Sequence, residues 1–98
     1  MDTLDQSCVN FEKVVYVLNS DLRRRIIRLL CNQDLTASEV FFRLKENAPK
    51  YRQSVNKALE TLKESGLVRK YYDDTKKALY YGIVKKKLSL NLEDMMIE

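Results

Sequence analysis

The hydrophobic pattern of this chain changes its period at Gly66. Before that residue, apolar side chains recur every three or four positions, which is typical of amphipathic helices. After it come two runs rich in β-forming residues, Leu67–Tyr72 and Ala78–Val84, which are separated by the polar stretch 73–77. Two such runs joined by a short polar connection predict a β-hairpin. The chain is therefore expected to place its helices first and a single hairpin after them.

Four helices are predicted before Gly66 from their apolar faces and their boundary signals. Ser20 is a good N-cap for the second helix, and Thr36 with Glu39 forms a capping box for the third. Gly66 lies where the C-terminal cap of the fourth helix belongs. The expected apolar faces are Cys8, Phe11, Val14, Val15 and Leu18; Leu22, Ile26, Leu29 and Leu30; Ala37, Val40, Phe41 and Leu44; and Tyr51, Val55, Ala58, Leu59 and Leu62.

The order of these elements predicts the fold class. Short helices joined by tight turns and followed by a two-stranded antiparallel hairpin match a winged helix-turn-helix domain, which is mainly α with a small β wing. The 98 residues suit one domain, 1–98, whose thin margin of stability would gain from a dimer interface. We expect the tail, residues 88–98, to form a strand that turns into a short helix.

Residue types that are rare or missing exclude several function classes. The chain has no His, two Cys and two Gly. It therefore lacks a Ser-His-Asp or Cys-His triad, a four-ligand zinc site of its own and a phosphate-binding glycine loop. We expect no enzyme activity, no metal and no cofactor. Cys8 and Cys31 are interpreted as buried small hydrophobes, while a Cys8–Cys8 bridge between protomers stays open.

The hydropathy and the N-terminal sequence predict a cytoplasmic protein. No uncharged apolar run approaches the roughly 18 residues that a membrane-spanning helix needs. Residues 1–5 lack the basic start and the apolar stretch of a signal peptide. We expect the chain to stay inside the cell and to have no membrane partner.

The positive charge is concentrated in the middle of the chain. The net charge is +4, but residues 21–88 hold 17 of the 18 basic residues against eight acidic ones. Residues 1–20 and 89–98 both carry a net negative charge. A basic body with acidic ends suits an anionic partner such as nucleic acid. The solvated surface of a lysine-rich protein gives the same balance, so charge alone leaves both interpretations open.

Four segments resemble ArsR-type winged helix regulators. Leu22–Leu30 resembles their second helix, and Leu35–Val40 is similar to the opening of their third. Ala58–Val68 is similar to the end of their recognition helix and its exit, and Tyr80–Ile83 to the returning wing strand. The resemblance covers approximately residues 14–84 and implies a DNA-binding transcriptional regulator.

The chain departs from that family in two places. Metal-sensing members carry Cys ligands on the third helix, or Asp and His near the C-terminus. Here the third helix has Phe41 and Phe42, and the chain has no His, so the resemblance implies a regulator without metal sensing. The segment Leu44–Leu59, which contains Pro49, is longer than the tight turn and recognition helix of that family and is similar to the longer turn of PadR-like or MarR-like relatives.

The exposed face of the fourth helix is expected to enter the major groove of DNA. Arg52 suits guanine, and Gln53 or Asn56 suits adenine. Lys50 and Lys57 suit phosphates. The expected DNA-binding residues are Lys50, Arg52, Gln53, Ser54, Asn56 and Lys57 on the helix, with Lys70, Tyr72, Lys76 and Lys77 on the wing. An ordinary solvated helix face and hairpin tip would carry the same residues.

Apolar residues near the two ends provide a candidate dimer interface. Palindromic DNA requires a two-fold dimer, and small winged helix domains commonly pair through their first and last elements. We expect residues 1–19 and 88–98 to be dimerisation elements, with an interface of Phe11, Val15, Leu18, Leu92, Met95 and Met96. Alternatively, these side chains cap the monomer's own core.

Together these features predict a sequence-specific double-stranded DNA-binding protein that acts as a homodimeric transcriptional regulator. Two alternatives stay open: a winged helix used only as a protein-interaction module, and a non-specific architectural DNA binder. The basic residues of the fourth helix and the wing argue against the interaction module, because such a module does not need them.

Overall fold

A computed structural model describes residues 11–44 and 52–97 of the chain. In these residues, four helices are followed by a two-stranded antiparallel hairpin, in the order that the sequence predicts. A second, smaller pair of strands ends this small α+β domain. The elements are α1 (Phe11–Leu18), α2 (Asp21–Asn32), α3 (Ala37–Arg43), α4 (Arg52–Ser65), β1 (Val68–Asp73), β2 (Ala78–Ile83), β3 (Leu90–Asn91) and β4 (Met96–Ile97).

The helix boundaries follow the capping signals of the sequence. The Ser20 side chain accepts a hydrogen bond from the backbone N–H of Arg23 at 3.3 Å, and α2 begins directly after it. Thr36 and Glu39 form both hydrogen bonds of the predicted capping box, at 3.1 and 2.9 Å. Gly66 follows α4 with a φ of 91°, a left-handed conformation that favours glycine. These three predicted boundaries are confirmed.

The core lies where α1, α2 and α4 meet the β1–β2 hairpin. The predicted apolar face of α4 is confirmed for Val55, Ala58, Leu59 and Leu62, which are all buried. Two predicted core residues, Cys8 and Tyr51, lie outside the described residues. The remaining buried apolar residues are Val14, Val17, Ile26, Leu30, Leu35, Val40, Leu44, Leu67, Val68, Tyr81 and Ile97.

The buried face of α1 is rotated by part of a turn from the predicted one, so the prediction is right for Val14 and wrong for Val15 and Leu18. Val14 and Val17 are buried in this helix, whereas Val15 is 52% exposed and Leu18 is 39% exposed. Consecutive helical residues differ in direction by about 100°, so Val15 leaves the contact that Val14 makes. The helix has only eight residues and buries one narrow row at three-residue spacing, and Phe11 in the same row is half-buried against the core.

The tail folds as a small hairpin, and its described residues, 88–97, contain no helix. Strands β3 and β4 pair antiparallel, with Leu90 opposite Ile97. The Asn91 side chain accepts the backbone N–H of Asp94 at 3.0 Å and donates to its carboxylate at 3.2 Å. This local hydrogen bonding competes with a helix, and burial of Ile97 fixes the strand against the core. The prediction of a short helix is therefore wrong.

Backbone pairing joins the β1–β2 hairpin to the helices. The strands β1 and β2 are paired along their whole length. On the other side of β2, the N–H of Leu35 donates to the C=O of Tyr81 at 3.0 Å, and the N–H of Tyr81 donates to the C=O of Leu35 at 2.8 Å. The connection between α2 and α3 thus acts as a third strand one residue long. The sequence predicts the hairpin but not this bridge.

Candidate nucleic-acid interface

The N-terminal half of α4 presents polar side chains to solvent. Gln53, Asn56 and Lys57 are exposed, and Ser54 is half-buried. Lys50 lies outside the described residues. Exposed amide and ammonium groups on one helix supply the hydrogen-bonding groups and the charge that base edges and phosphates require.

The Arg52 guanidinium is held against α3. Its Cζ lies 4.7 Å from the ring centre of Phe41 and 5.8 Å from that of Phe42. Its Nη1 donates a hydrogen bond to Ser38 Oγ at 3.1 Å. Stacking on an aromatic ring is favourable for this planar cation, so the contact orients Arg52 at the junction of α3 and α4.

Glu60 joins α4 to the hairpin. Its Oε2 accepts hydrogen bonds from Lys70 Nζ at 3.1 Å and from the Tyr81 hydroxyl at 2.9 Å. Its Oε1 lies 3.4 Å from Lys63 Nζ. Lys70 Nζ also lies over the Tyr81 ring, 5.5 Å from its centre. Lys70, a predicted DNA contact, is therefore already paired with a carboxylate.

These contacts shift the titration of three groups. The hydrogen bond from Lys70 lowers the pKa of Glu60, and the hydrogen bond from Tyr81 lowers it further. The same contact with Glu60 raises the pKa of Lys70. Burial raises the pKa of Tyr81, and the hydrogen bond to Glu60 adds to that effect. The ion pair between Glu60 and Lys70 therefore persists over a wider pH range than isolated groups would allow.

Asp34 binds the opposite face of the hairpin. Its Oδ2 accepts a hydrogen bond from the Tyr71 hydroxyl and lies 3.6 Å from Arg69 Nη2. The Arg69 guanidinium lies over the Tyr71 ring, 4.6 Å from its centre. The hydrogen bond to Asp34 raises the pKa of Tyr71. Successive strand residues point to opposite faces, so Glu60 and Asp34 hold the hairpin from its two sides.

The tip of the hairpin is a turn stabilised by Asp73. Its Oδ1 accepts the backbone N–H groups of Thr75 and Lys76, both at 2.9 Å. Lys77 has a φ of 55°, which is uncommon for a residue with a side chain. Lys76 and Lys77 are exposed, as is Tyr72 on β1. The turn thus presents two lysines to solvent at the end of the hairpin.

The arginines at the start of α2 bind the end of α1. Arg23 donates to the carbonyl oxygens of Val17 at 3.0 Å and Tyr16 at 3.1 Å. Arg24 donates to that of Leu18 at 2.6 Å. Positive charge is favourable at a helix C-terminus, because the last carbonyl groups lack helical partners. These two arginines therefore have a structural role.

Most residues of the predicted dimer interface are exposed in the monomer. Phe11 is half-buried and packs against the core. The alternative that these side chains cap the monomer's own core therefore holds for Phe11. The others are between 39% and 67% exposed: Val15, Leu18, Leu92, Met95 and Met96.

Two acidic residues that organise the surface have roles that sequence reasoning missed. Asp34 contacts Tyr71 across 37 sequence positions, and no local pattern signals a pair so far apart. Glu60 is recognisable as an acidic residue on the exposed side of α4. Its contacts with Lys70 and Tyr81 follow only from the packing of the hairpin on the helix, although those two residues are direct partners in the strand register.

Comparisons with known proteins assign no family. No family model matches the chain, and no curated protein matches it. Across residues 11–44 and 52–97, no helix has the length and apolar character needed to cross a membrane. Nor do those residues bring together three or more His, Cys, Asp or Glu side chains in a group that would hold a metal ion.

Proposed function

We propose that this chain is a winged helix-turn-helix protein that binds double-stranded DNA sequence-specifically and regulates transcription as a cytoplasmic homodimer. α4 is then the recognition helix, and the β1–β2 hairpin is the wing. The observation that carries this proposal is the junction at Glu60, which fixes the hairpin to α4. The N-terminal half of this same helix is exposed, amide-rich and basic. Such a junction favours simultaneous contact with a groove and the flanking backbone, because both elements are already oriented.

The two parts of this surface differ in what they contact. Gln53 and Asn56 carry amides, which pair with the major-groove edge of adenine. Lys57 contacts phosphate beside them. Lys76 and Lys77 at the tip also contact phosphates, because a lysine ammonium acts as a point charge without base preference. The helix therefore supplies sequence preference, and the tip supplies affinity.

An ArsR-like regulator without metal sensing is the family that we propose. The order of helices and hairpin supports it, as does the capping box at Thr36 and Glu39 inside the segment that resembles the family's third helix. The exposed apolar side chains of α1 and the tail support a homodimer, since they lack burial in the monomer.

Selection of bound duplexes from a random DNA pool tests this function. An enriched palindrome supports a sequence-specific homodimer. Uniform recovery identifies a non-specific architectural binder, and no recovery identifies a protein-interaction module. Two variants that each lose two positive charges serve as a matched pair. Lys76→Ala/Lys77→Ala should reduce recovery, whereas Arg28→Ala/Lys87→Ala, at two exposed positions away from α4 and the hairpin tip, should not.

A further inference from the structure

An apolar groove lies beside the base of the hairpin. It has a volume of about 210 Å³, and its lining includes Leu18 of α1 and Ile27 of α2. Leu88, at the start of the tail, lines it as well. The charged residues of the lining are Lys85 and Lys86. The groove therefore combines an apolar surface with positive charge.

The tail hairpin, residues 90–97, carries a complementary surface. Its turn includes Glu93 and Asp94, which are both exposed. Burial of Ile97 in the core fixes the position of this hairpin on its own chain. Four of its apolar side chains are between 53% and 67% exposed: Leu90, Leu92, Met95 and Met96.

We propose that the tail hairpin of one copy docks in the groove of a second copy, and that the second tail docks in the first groove. This inference rests on the homodimer of the proposed function and identifies its contact. Apolar side chains then meet an apolar lining, and Glu93 and Asp94 meet Lys85 and Lys86 at its edge. The exchange is reciprocal, so it satisfies the self-complementarity of a two-fold dimer.

The chain path favours this arrangement. Leu88 lines the groove, and β3 begins at Leu90, so each tail starts at the edge of its own groove. A two-fold axis close to Leu88 therefore brings each tail to the partner's groove over a short distance. The exposed side chains of residues 90–96 do not line the groove of their own chain. Within one chain, the tail hairpin therefore does not cover the groove, and the groove does not bury the tail hairpin.

The size of the groove also favours inserted side chains over a small molecule. Pockets for drug-sized ligands measure about 300–1,000 Å³, which is larger than this groove of about 210 Å³. Leucine and methionine side chains from a neighbouring copy need less room, and methionine adapts to irregular apolar surfaces.

A charge exchange tests the contact, with oligomeric state measured by sedimentation and native mass spectrometry in the absence of DNA. We expect the wild-type chain to be a dimer at low salt. Lys85→Glu/Lys86→Glu and Glu93→Lys/Asp94→Lys should each weaken the dimer at least about tenfold, because like charges then meet. An equal mixture of the two variants should form a heterodimer of unique mass, and the chain with all four changes should dimerise again.

A second pair of variants tests the apolar part of the contact. Leu92→Ser/Met95→Ser should dissociate the dimer, whereas Leu79→Ser, at a 49% exposed position on β2, should leave it intact. Circular dichroism verifies that each variant folds. Point changes are preferable to truncation, which would remove the buried Ile97.

A monomeric wild-type chain, unaltered dimers of both charge variants, or a mixture that does not form the heterodimer would overturn the proposal. Because no DNA is present, a dimer that fails to select DNA contradicts the proposed function and leaves this contact in place.

Discussion

Asp34 approaches Gly82 so closely that a Cβ on the glycine would lie 2.5 Å from Oδ1 and 2.7 Å from Cγ of the aspartate. Real Cβ atoms essentially never lie so close to another atom, so an alanine at this position would force the Asp34 side chain to move. Because Gly82 has no side chain, it leaves room for the Asp34 carboxylate. In that space Asp34 accepts a hydrogen bond from the Tyr71 hydroxyl and forms an ion pair with Arg69. The requirement is steric, because the glycine gives a carboxylate from the α2–α3 connection access to the hairpin.

Gly82→Ala should lower the free energy of unfolding, because the new methyl group displaces the Asp34 carboxylate from its hydrogen bond with Tyr71 and its ion pair with Arg69. Urea unfolding measures this loss. In an Asp34→Ala background the same change should cost much less, since the clashing carboxylate is gone. Equal costs in both backgrounds would contradict the steric explanation.

Glu60→Gln should reduce stability most at neutral pH. The pKa of Glu60 is lowered from its ordinary value of 4.5, so its contribution is complete above that pH and is lost as the pH falls through the lowered pKa. We expect a loss of about 1 kcal/mol or less, because the group is partly exposed. Unfolding curves of wild type and variant should therefore converge in acid.

Glu64→Gln is the matched control, since it removes the same charge one turn further along α4. At neutral pH it should lower the free energy of unfolding less than Glu60→Gln does, because Glu60 and not Glu64 holds the ion pair with Lys70. A constant difference between wild type and Glu60→Gln across the acid range would mean that the ion pair with Lys70 contributes nothing to folding.

Most of the fold is predictable because its signals are local. The N-cap at Ser20, the capping box at Thr36 and the glycine at position 66 each act within a few residues, and each is confirmed. The face of α1 is less predictable, since a short helix with many apolar residues permits more than one orientation. The choice of Val17 over Val15 is made by the packing of the whole domain.

The sequence predicts which residues form the candidate surface much better than it predicts the contacts that these residues make. The exposed positions on α4 follow from helical periodicity, as Gln53 and Asn56 show. The engagement of Arg52 by Phe41 does not, because it depends on how α3 packs against α4. Pairing of Lys70 with Glu60 likewise needs the register of a hairpin against a helix.

Lys76→Ala/Lys77→Ala should weaken the binding of all DNA sequences alike. Each lost phosphate contact should reduce the slope of the logarithm of affinity against the logarithm of salt concentration by about one unit. Fluorescence anisotropy across a salt series measures the slope. Arg28→Ala/Lys87→Ala, with the same net charge, should keep the wild-type slope. A similar drop in both variants would assign the effect to net charge and not to the tip.

Gln53→Ala should change sequence preference. Loss of a base-reading side chain should cost about 1–3 kcal/mol on the selected site and less on random DNA at the same salt concentration. Lys57→Ala should weaken both by equal amounts, because it removes a phosphate contact. If Gln53→Ala and Arg52→Ala both retain the wild-type sequence preference, α4 does not read bases. The long segment 44–59 would then be the first explanation to test, because its length can tilt α4 out of the groove.

Among residues 11–44 and 52–97, the contacts that hold the hairpin to the helices lie at one end of it. Leu35 pairs with its backbone at Tyr81, and Glu60 and Asp34 bind its two faces, while the turn projects beyond these contacts. The hairpin is therefore supported like a cantilever. A force on the turn bends the free end, whereas the base of the hairpin is held by α4 and by the connection between α2 and α3. A partner of uneven shape would therefore deflect Lys76 and Lys77 while α4 keeps its orientation.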